Sequence, residues 1–161
     1  DVPARNHAAG GEGRLRGPRE RANPVIRVYV DMVADLFHFG HVAFLEQARA
    51  YGEDLVVGVH SDATVESYKR RPVMTMDERV ASVHGCRFVD EVVPDAPLVI
   101  TREWLELHRI DLVVHGDDFD PALAGRLYGV PMAMGIFHTV PYTPGISSTE
   151  IIRRIQEYGG A

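Results

Sequence analysis

The sequence contains a single cysteine, Cys86, among its 161 residues. This excludes an internal disulfide and a zinc site built on several thiolates, and it favours a reducing compartment such as the cytoplasm. No apolar run approaches the roughly 18–20 residues of a membrane span, so we expect no membrane-spanning segment. The formal net charge of −6 disfavours sequence-independent binding to nucleic acid, which depends on many lysine and arginine contacts.

The first 24 residues have almost no large apolar side chains and are rich in Gly, Ala, Arg and Pro. They carry five arginines against three acidic residues, a charge of +2; −6 minus +2 leaves −8 for the remaining residues. Such a segment cannot bury enough surface to order itself, so we interpret 1–24 as a flexible N-terminal leader. A basic arm that contacts nucleic acid is the alternative. A targeting peptide is disfavoured because the segment has no apolar core.

From residue 25 onwards, apolar β-branched runs alternate with amphipathic stretches that have helical spacing or capping residues. The runs are typical of buried strands, and they lie at 25–31, 54–60, 87–93, 111–118 and 132–137. This alternation predicts βαβ units and a parallel sheet, and the length fits one α/β domain over 25–161.

Ligands of parallel sheets bind beyond the carboxyl ends of the strands. The candidate site therefore consists of the polar segments that follow the runs, at 31–41, 60–79, 115–120 and 139–149. The last of these leads into the stretch SSTE, a capping box from Ser147 to Glu150 that predicts the start of a C-terminal helix.

The stretch HFGH, His38 to His41, lies where the first apolar run gives way to an amphipathic helix. Gly40 permits close backbone approach, and His41 falls at or near the helix N-terminus, where free N–H groups suit phosphate. Two imidazole donors at this place could stabilise charge on a phosphoryl group in a transition state. Packing in the core and metal binding are the alternatives. Zinc pairs on a helix usually lie four residues apart, and the sequence offers no obvious third ligand nearby.

HFGH after a strand resembles the HxGH signature of the nucleotidyltransferase superfamily. Further motifs, in the same order along the chain, are similar to those of the cytidylyltransferase family. They are DLVVGVHSD at 54–62, the lysine loop, ER helix and VDEVV strand within 68–97, VVHGDD at 113–118 and GISSTEII at 145–152. The resemblance covers about residues 26–158. It implies a Rossmann-like, doubly wound parallel sheet in a single domain.

Members of this family transfer CMP from CTP to a small phosphate-bearing alcohol or polyol, release pyrophosphate and use Mg²⁺. The resemblance implies that His38 and His41 stabilise the transition state and that Lys69 neutralises phosphate charge. Acceptor contacts are implied for Asp35 and Tyr142. Nucleotide contacts are implied for Val33, Ala34, Gly40, Arg79, His115, Asp117, Asp118, Gly145, Ile146, Ser147, Ser148 and Thr149. The Mg²⁺ is expected on the CTP phosphates, with its protein ligands unassigned, and a homodimer is expected.

Two positions depart from the pattern of the family. Met32 lies where the family usually has glycine, and Tyr142 lies where an arginine normally opens the final motif. Tyrosine donates one hydrogen bond but brings no charge. Either Arg70 or Arg71 compensates for the missing arginine, or the acceptor differs from the usual phosphate monoester.

The departures and the wording of the motifs resemble the branch of the family that acts in fosfomycin biosynthesis. There the domain precedes a phosphoenolpyruvate mutase domain. The resemblance implies 2-hydroxyethylphosphonate as the acceptor and a fusion to such a domain, and a chain without an initial methionine also suggests a piece of a longer protein. Phosphoethanolamine or glycerol 3-phosphate as acceptor, ATP in place of CTP, and a non-catalytic CTP-binding domain are the alternatives.

Overall fold

The computed structural model describes residues 24–159, so the predicted leader lies outside the described residues except for Pro24. Five strands form one sheet in the order β3-β2-β1-β4-β5, and all neighbouring pairs are parallel. The strands are β1 Arg27–Met32, β2 Asp54–Val59, β3 Glu91–Pro94, β4 Leu112–Gly116 and β5 Phe137–Val140. The predicted parallel α/β sheet is confirmed.

Seven helices connect or follow these strands within the described residues. They are α1 Phe39–Arg49, α2 Asp62–Glu66, α3 Met76–His84, α4 Arg102–Leu107, α5 Pro121–Leu127, α6 Gly129–Ala133 and α7 Ser148–Tyr158. Side chains of Thr75, Thr101 and Ser147 cap α3, α4 and α7, and the cap at Ser147 is the one that the SSTE stretch predicts. Between residues 24 and 159, none of these helices has the length and apolar character needed to cross a membrane.

The sheet is covered on both faces, because successive side chains of a strand point to opposite sides. Val28 and Val30 of β1 pack in one buried cluster with Leu45 of α1 and Val83 of α3. Tyr29, between them, packs in a second cluster that includes residues of α4 and α5. This arrangement is the doubly wound, Rossmann-like fold that the sequence predicts. Each fully buried aliphatic side chain stabilises it by about 1.5–3 kcal/mol.

One predicted strand was wrong in position. Residues 129–133 form α6, and β5 begins only at Phe137. Gly135, with a φ of +70°, separates the two elements. Short apolar runs do not distinguish strand from helix by periodicity, which explains the error. Helix α5 was not predicted, although Asp120 caps it and Pro121 lies in its first turn, a recognised start signal.

The strand order places the topological switch point between β1 and β4. The chain leaves β1 towards β2 and β3 on one side, and it returns to β4 and β5 on the other. The loops that follow β1 and β4 therefore diverge and leave a crevice at the carboxyl ends of these strands.

Candidate active site

A cleft of about 500 Å³ occupies this crevice. The end of β1, the HFGH segment, the loop around Lys69, the end of β4 and the segment before α7 all contribute to its walls. All four polar segments that the sequence places at the candidate site contribute to it. The volume is within the range typical of small-molecule sites.

His38 and His41 lie against each other in the wall of the cleft, with ring centroids 4.0 Å apart. His38 is the N-cap of α1, and its Nδ1 accepts a hydrogen bond from the Gly40 amide at 3.0 Å. Nδ1 of His41 accepts from the His38 amide at 3.1 Å. Because each Nδ1 is an acceptor, each neutral ring carries its proton on Nε2. Both side chains are thus fixed as N–H donors.

Burial favours the neutral form of both rings. It lowers the pKa of His38, and burial together with the neighbouring His38 lowers the pKa of His41 to about 4. Phe37 stacks on the His41 ring at a centroid distance of 5.3 Å and contributes to that desolvation. At neutral pH the two histidines are suited to donating hydrogen bonds to a phosphoryl oxygen and not to carrying charge.

Gly40 cannot be replaced in this arrangement without displacing a donor. A Cβ at that position would lie 2.8 Å from Cε1 of His38 and 3.2 Å from Cγ2 of Ile146. The glycine of HxGH therefore lets the segment before α7 approach the histidine pair.

Asp35 fixes the loop that carries Lys69. Its buried carboxylate accepts from the amides of Val73 and Met74 and from Nη1 of Arg70, each at 3.0 Å. Burial acts to raise the pKa of Asp35, but these three donors outweigh it and hold the pKa below its usual value. The residues on either side of Asp35 have a strained backbone, since Ala34 and Leu36 have φ of +59° and +48°. The predicted contact between Asp35 and the acceptor stays a prediction. In this structure the Asp35 carboxylate is engaged by the loop.

The N-terminus of α7 closes one side of the cleft. Ser147 caps the helix, and the Ser148 hydroxyl donates to the Asp35 carbonyl oxygen at 2.6 Å. Gly145 adopts a φ of +92°, which glycine tolerates. The predicted capping box is half formed: the carboxylate of Glu150 pairs with Arg153 and Arg154.

Most of the predicted site residues line this one cleft. They are Val33, Ala34, Asp35, His38, Gly40, His41, Lys69, His115, Asp118, Tyr142, Ile146, Ser147, Ser148 and Thr149. Asp117, Gly145 and Arg79 lie outside its walls. Asp117 instead holds the Tyr142 segment, because its carboxylate accepts from the Tyr142 amide at 2.8 Å.

Arg79 lies behind the cleft with a fully buried side chain, 0% exposed. Its guanidinium donates to the carbonyl oxygens of Val33 and His60 and to the carboxylate of Asp62. It thereby ties the loop after β1 to the loop after β2. The expected nucleotide contact of Arg79 stays a prediction, and in this structure Arg79 supports the wall of the cleft from inside the protein.

The sequence did not point to a group of buried polar residues at the end of β1. Oδ1 of Asp31 accepts from the Tyr128 hydroxyl at 2.6 Å, whereas its buried Oδ2 has no hydrogen-bond partner within the described residues. That oxygen lies 4.0 Å from Nε2 of His60. His60 Nδ1 lies 3.0 Å from the Ala96 carbonyl, which can only accept. In neutral His60, Nε2 is therefore an acceptor too. Two acceptors, Asp31 Oδ2 and His60 Nε2, thus lie side by side in the cleft.

Protein ligands for a metal ion are scarce. Over residues 24–159, no cluster of three or more His, Cys, Asp or Glu side chains could hold one. The metal interpretation of His38 and His41 is disfavoured further, because both Nδ1 atoms are engaged by backbone amides. Mg²⁺ commonly binds through substrate phosphates and water, with few protein ligands, and the expected ion on the CTP phosphates stays a prediction.

A parallel α/β sheet with a switch-point cleft, two imidazole donors and a helix N-terminus is the type of domain that binds phosphate-bearing ligands. The comparisons agree with this class. The family model described as Cytidylyltransferase-like matches residues 32–154. The chain belongs to the cytidylyltransferase-like family.

Its relatives include proteins named as cytidylyltransferases for amino-alcohol phosphates. The chain is 42% identical over 149 residues to the ethanolamine-phosphate cytidylyltransferase of Dictyostelium discoideum, covering 89% of this chain and 40% of that protein. It is 39% identical over 150 residues to the mouse protein of the same name, covering 92% and 37%. It is 42% identical over 133 residues to human choline-phosphate cytidylyltransferase A, covering 81% and 36%. The chain thus spans about two fifths of the length of these curated relatives.

A solved structure shares the fold. The lipopolysaccharide core biosynthesis protein from Thermoplasma volcanium superposes with a TM-score of 0.62 at 24% identity, covering 74% of this chain and 99% of that one. This likeness supports the Rossmann-like architecture and carries no information on substrate.

Proposed function

We propose that this chain transfers CMP from CTP to the phosphate of a small amino alcohol and releases pyrophosphate. The observation that carries the proposal is the cleft itself. Two fixed Nε2–H donors, Lys69 and the N-terminus of α7 line it, and so do Asp31 and His60 at the ends of β1 and β2. The names of the relatives support the same reaction and the same acceptor class.

The reaction is a direct displacement at phosphorus. An oxygen of the acceptor phosphate forms a bond to the α-phosphorus of CTP, and the bond from that phosphorus to the bridging oxygen of pyrophosphate breaks. The acceptor oxyanion is already a nucleophile, so no general base is required. His38 and His41 donate to the oxygens that gain charge, and Lys69 stabilises the triphosphate. Mg²⁺, when bound on the nucleotide phosphates, would supply further charge neutralisation.

The end of β1 supports an amino alcohol as the acceptor. An ammonium group has several donors and a positive charge, which matches the Asp31 carboxylate, whose buried Oδ2 has no hydrogen-bond partner among the described residues. The hydroxyl of 2-hydroxyethylphosphonate has one donor and leaves the carboxylate charge uncompensated.

2-Hydroxyethylphosphonate is nevertheless the second candidate, because of Tyr142. This side chain is 48% exposed, and its hydroxyl lies 3.4 Å from the Ile146 carbonyl oxygen. A tyrosine at this place, where related motifs have arginine, supports an acceptor other than the usual phosphate monoester. The relatives favour the phosphate monoester.

A pyrophosphate-release screen tests the proposal. CTP and ATP are each combined with phosphoethanolamine, phosphocholine, glycerol 3-phosphate and 2-hydroxyethylphosphonate in the presence of Mg²⁺. We expect the fastest release with CTP and phosphoethanolamine, because the quaternary ammonium group of phosphocholine has no hydrogen to donate to Asp31. Preference for 2-hydroxyethylphosphonate would transfer the assignment to the phosphonate branch, and preference for ATP would contradict the nucleotide assignment. CTP binding by calorimetry without any release would indicate a non-catalytic domain.

The expected homodimer and the fusion to a phosphoenolpyruvate mutase domain stay predictions. Light scattering of the purified chain tests the first, and the sequence of the full-length protein tests the second.

A further inference from the structure

The cleft carries little positive charge for a site that binds a triphosphate. Among the described residues, its only lysine or arginine side chains are Lys69 and Arg70. Lys69 is also the only lysine in the whole sequence. Carboxylates of Asp31, Asp35 and Asp118 line the same cleft. A second fixed cation would strengthen the binding of a triphosphate among these carboxylates, and Arg70 is the other cationic side chain that lines the cleft.

Arg70 is held in place before any ligand arrives. Its Nη1 donates to Oδ2 of Asp35 and to the carbonyl oxygen of Arg71, both at 3.0 Å. The Asp35 side chain is only 5% exposed, whereas that of Arg70 is 36% exposed. The buried carboxylate thus orients the guanidinium and leaves part of it open to the cleft. Pre-orientation of this kind lowers the entropy lost on binding.

Asp35 also connects Arg70 with the N-terminus of α7. The Asp35 carbonyl oxygen accepts from the Ser148 hydroxyl at 2.6 Å, so two hydrogen bonds join the guanidinium to the first turn of the helix. That turn presents free N–H groups suited to phosphate. Through Asp35, Arg70 is therefore linked to the helix N-terminus at which the leaving pyrophosphate would lie.

Arg71 offers no equivalent. Its guanidinium lies 3.5 Å from Glu66, its side chain is 75% exposed, and it does not line the cleft. The neighbouring arginine has the same chemistry and a different position, which makes it the matched control.

We infer that Arg70, oriented by Asp35, binds the β- and γ-phosphates of the nucleotide and takes the part of the arginine that Tyr142 replaces. The inference rests on the proposed function. Arg70 is then the second cation, beside Lys69, in the triphosphate half of the site. A planar guanidinium suits this part, because it donates two parallel hydrogen bonds to phosphate oxygens.

Calorimetric titration with Mg²⁺·CTP and with inorganic pyrophosphate tests the inference on wild type and three variants. Arg70→Gln keeps a neutral donor for Asp35 and loses the charge, so we expect both affinities to fall about 10- to 100-fold. Arg70→Lys keeps the charge and loses the fork, so an intermediate loss is expected. Arg71→Gln should stay within about twofold of wild type. In steady-state assays, Arg70→Gln should raise the KM for CTP and leave the KM for the acceptor unchanged.

The outcomes separate this inference from the proposed function. Equal affinities for CTP and pyrophosphate in Arg70→Gln and Arg71→Gln, with a wild type that binds both, would overturn the assignment of Arg70 alone. A higher acceptor KM with an unchanged CTP KM would also overturn it, because it would place Arg70 at the other half of the cleft. A wild type that binds neither CTP nor pyrophosphate would contradict the proposed function and this inference together.

Discussion

The backbone amide of His38 donates a hydrogen bond to Nδ1 of His41 at 3.1 Å. This bond caps α1 and at the same time fixes the Nε2 proton of His41. A single contact therefore determines both where the helix starts and which atom of the imidazole donates.

The two roles of His41 can be separated by substitution. In His41→Asn, the amide oxygen is placed to replace Nδ1 as the acceptor, but the side chain is too short to replace the Nε2 donor. We expect kcat to fall by about 10²-fold or more, in line with the loss of a transition-state donor, while the thermal midpoint changes little. Pyrophosphate release and thermal denaturation measure the two effects. His84→Asn, an exposed histidine of α3, is the control, and turnover of His41→Asn equal to this control would exclude His41 from the chemistry.

Acid should destabilise the protein through the same residue. The unfolded chain binds a proton at the ordinary His pKa of 6.5, whereas burial and His38 lower the pKa of His41 in the fold to about 4. The contribution of His41 to the free energy of unfolding is therefore complete above about pH 7 and is lost as the pH falls towards 4. At pH 4.5 the loss from this group is about 2–3 kcal/mol. Urea unfolding at pH 7.5 and 4.5 should show a smaller loss in His41→Asn than in wild type. His84→Asn should lose as much as wild type, and an equal loss in all three proteins would contradict the shift.

Local features of the site were predictable from the sequence, and long-range ones were not. Helix caps such as Thr75 and Ser147 depend on residues three apart, so the sequence pattern contains them. The hydrogen bond between Asp31 and Tyr128 joins residues 97 positions apart. No local pattern announces such a pair, and an aspartate at a strand end would ordinarily be expected in solvent.

Arg79 illustrates the same limit for burial. Its motif placed it near the nucleotide, and on its own it resembles a solvated surface residue of a helix. The fold instead encloses it, because the carbonyl oxygens of Val33 and His60 need donors that only a long side chain from α3 can reach. The family motif thus marked an important residue without revealing its contacts.

Replacing Arg79 should therefore damage the fold more than the binding of nucleotide. Arg79→Ala leaves the buried His60 carbonyl oxygen, the part-buried Val33 carbonyl oxygen and the partly exposed Asp62 carboxylate without their donor. We expect a loss of about 3–5 kcal/mol in the free energy of unfolding, because each carbonyl oxygen left without a donor costs about 1–3 kcal/mol and the removed side chain leaves a cavity. Arg126→Ala, an exposed arginine of α5, should lose less than about 1 kcal/mol. Urea denaturation measures both, and equal stability of the two variants would show that Arg79 is not the internal tie described above.

Because the sequence has a single lysine, proteolysis reports on the loop that carries Lys69. A lysine-specific protease can cut only after Lys69, and the Asp35 carboxylate anchors the loop through the amides of Val73 and Met74. Asp35→Asn replaces one carboxylate oxygen with an amide nitrogen that cannot accept, and it removes the charge that binds Arg70, so cleavage should be about tenfold faster than in wild type. Asp77→Asn, on the exposed first turn of α3, should be cut at the wild-type rate. Gel analysis of timed digests measures the rates, and Asp35→Asn cut no faster than Asp77→Asn would refute the anchoring role.

Asp31 decides between the two candidate acceptors. In Asp31→Asn the amide oxygen can still accept from the Tyr128 hydroxyl, so the fold should persist. The carboxylate charge that matches an ammonium group is lost, and an amide NH₂ is placed towards it. We expect kcat/KM for phosphoethanolamine to fall about 10- to 100-fold, the worth of a hydrogen bond to a charged group. For 2-hydroxyethylphosphonate, whose hydroxyl can accept from the new amide, the fall should be less than about threefold.

Comparing the fall in kcat/KM between the two acceptors makes the test independent of overall activity. Because CTP is common to both reactions, damage to the triphosphate side would lower kcat/KM equally for both acceptors. A selective loss with phosphoethanolamine would place the ammonium group at Asp31 Oδ2, a buried oxygen that has no hydrogen-bond partner between residues 24 and 159. An equal loss with both acceptors would mean that Asp31 serves the fold through Tyr128, and the choice of an amino alcohol would then lose its structural support.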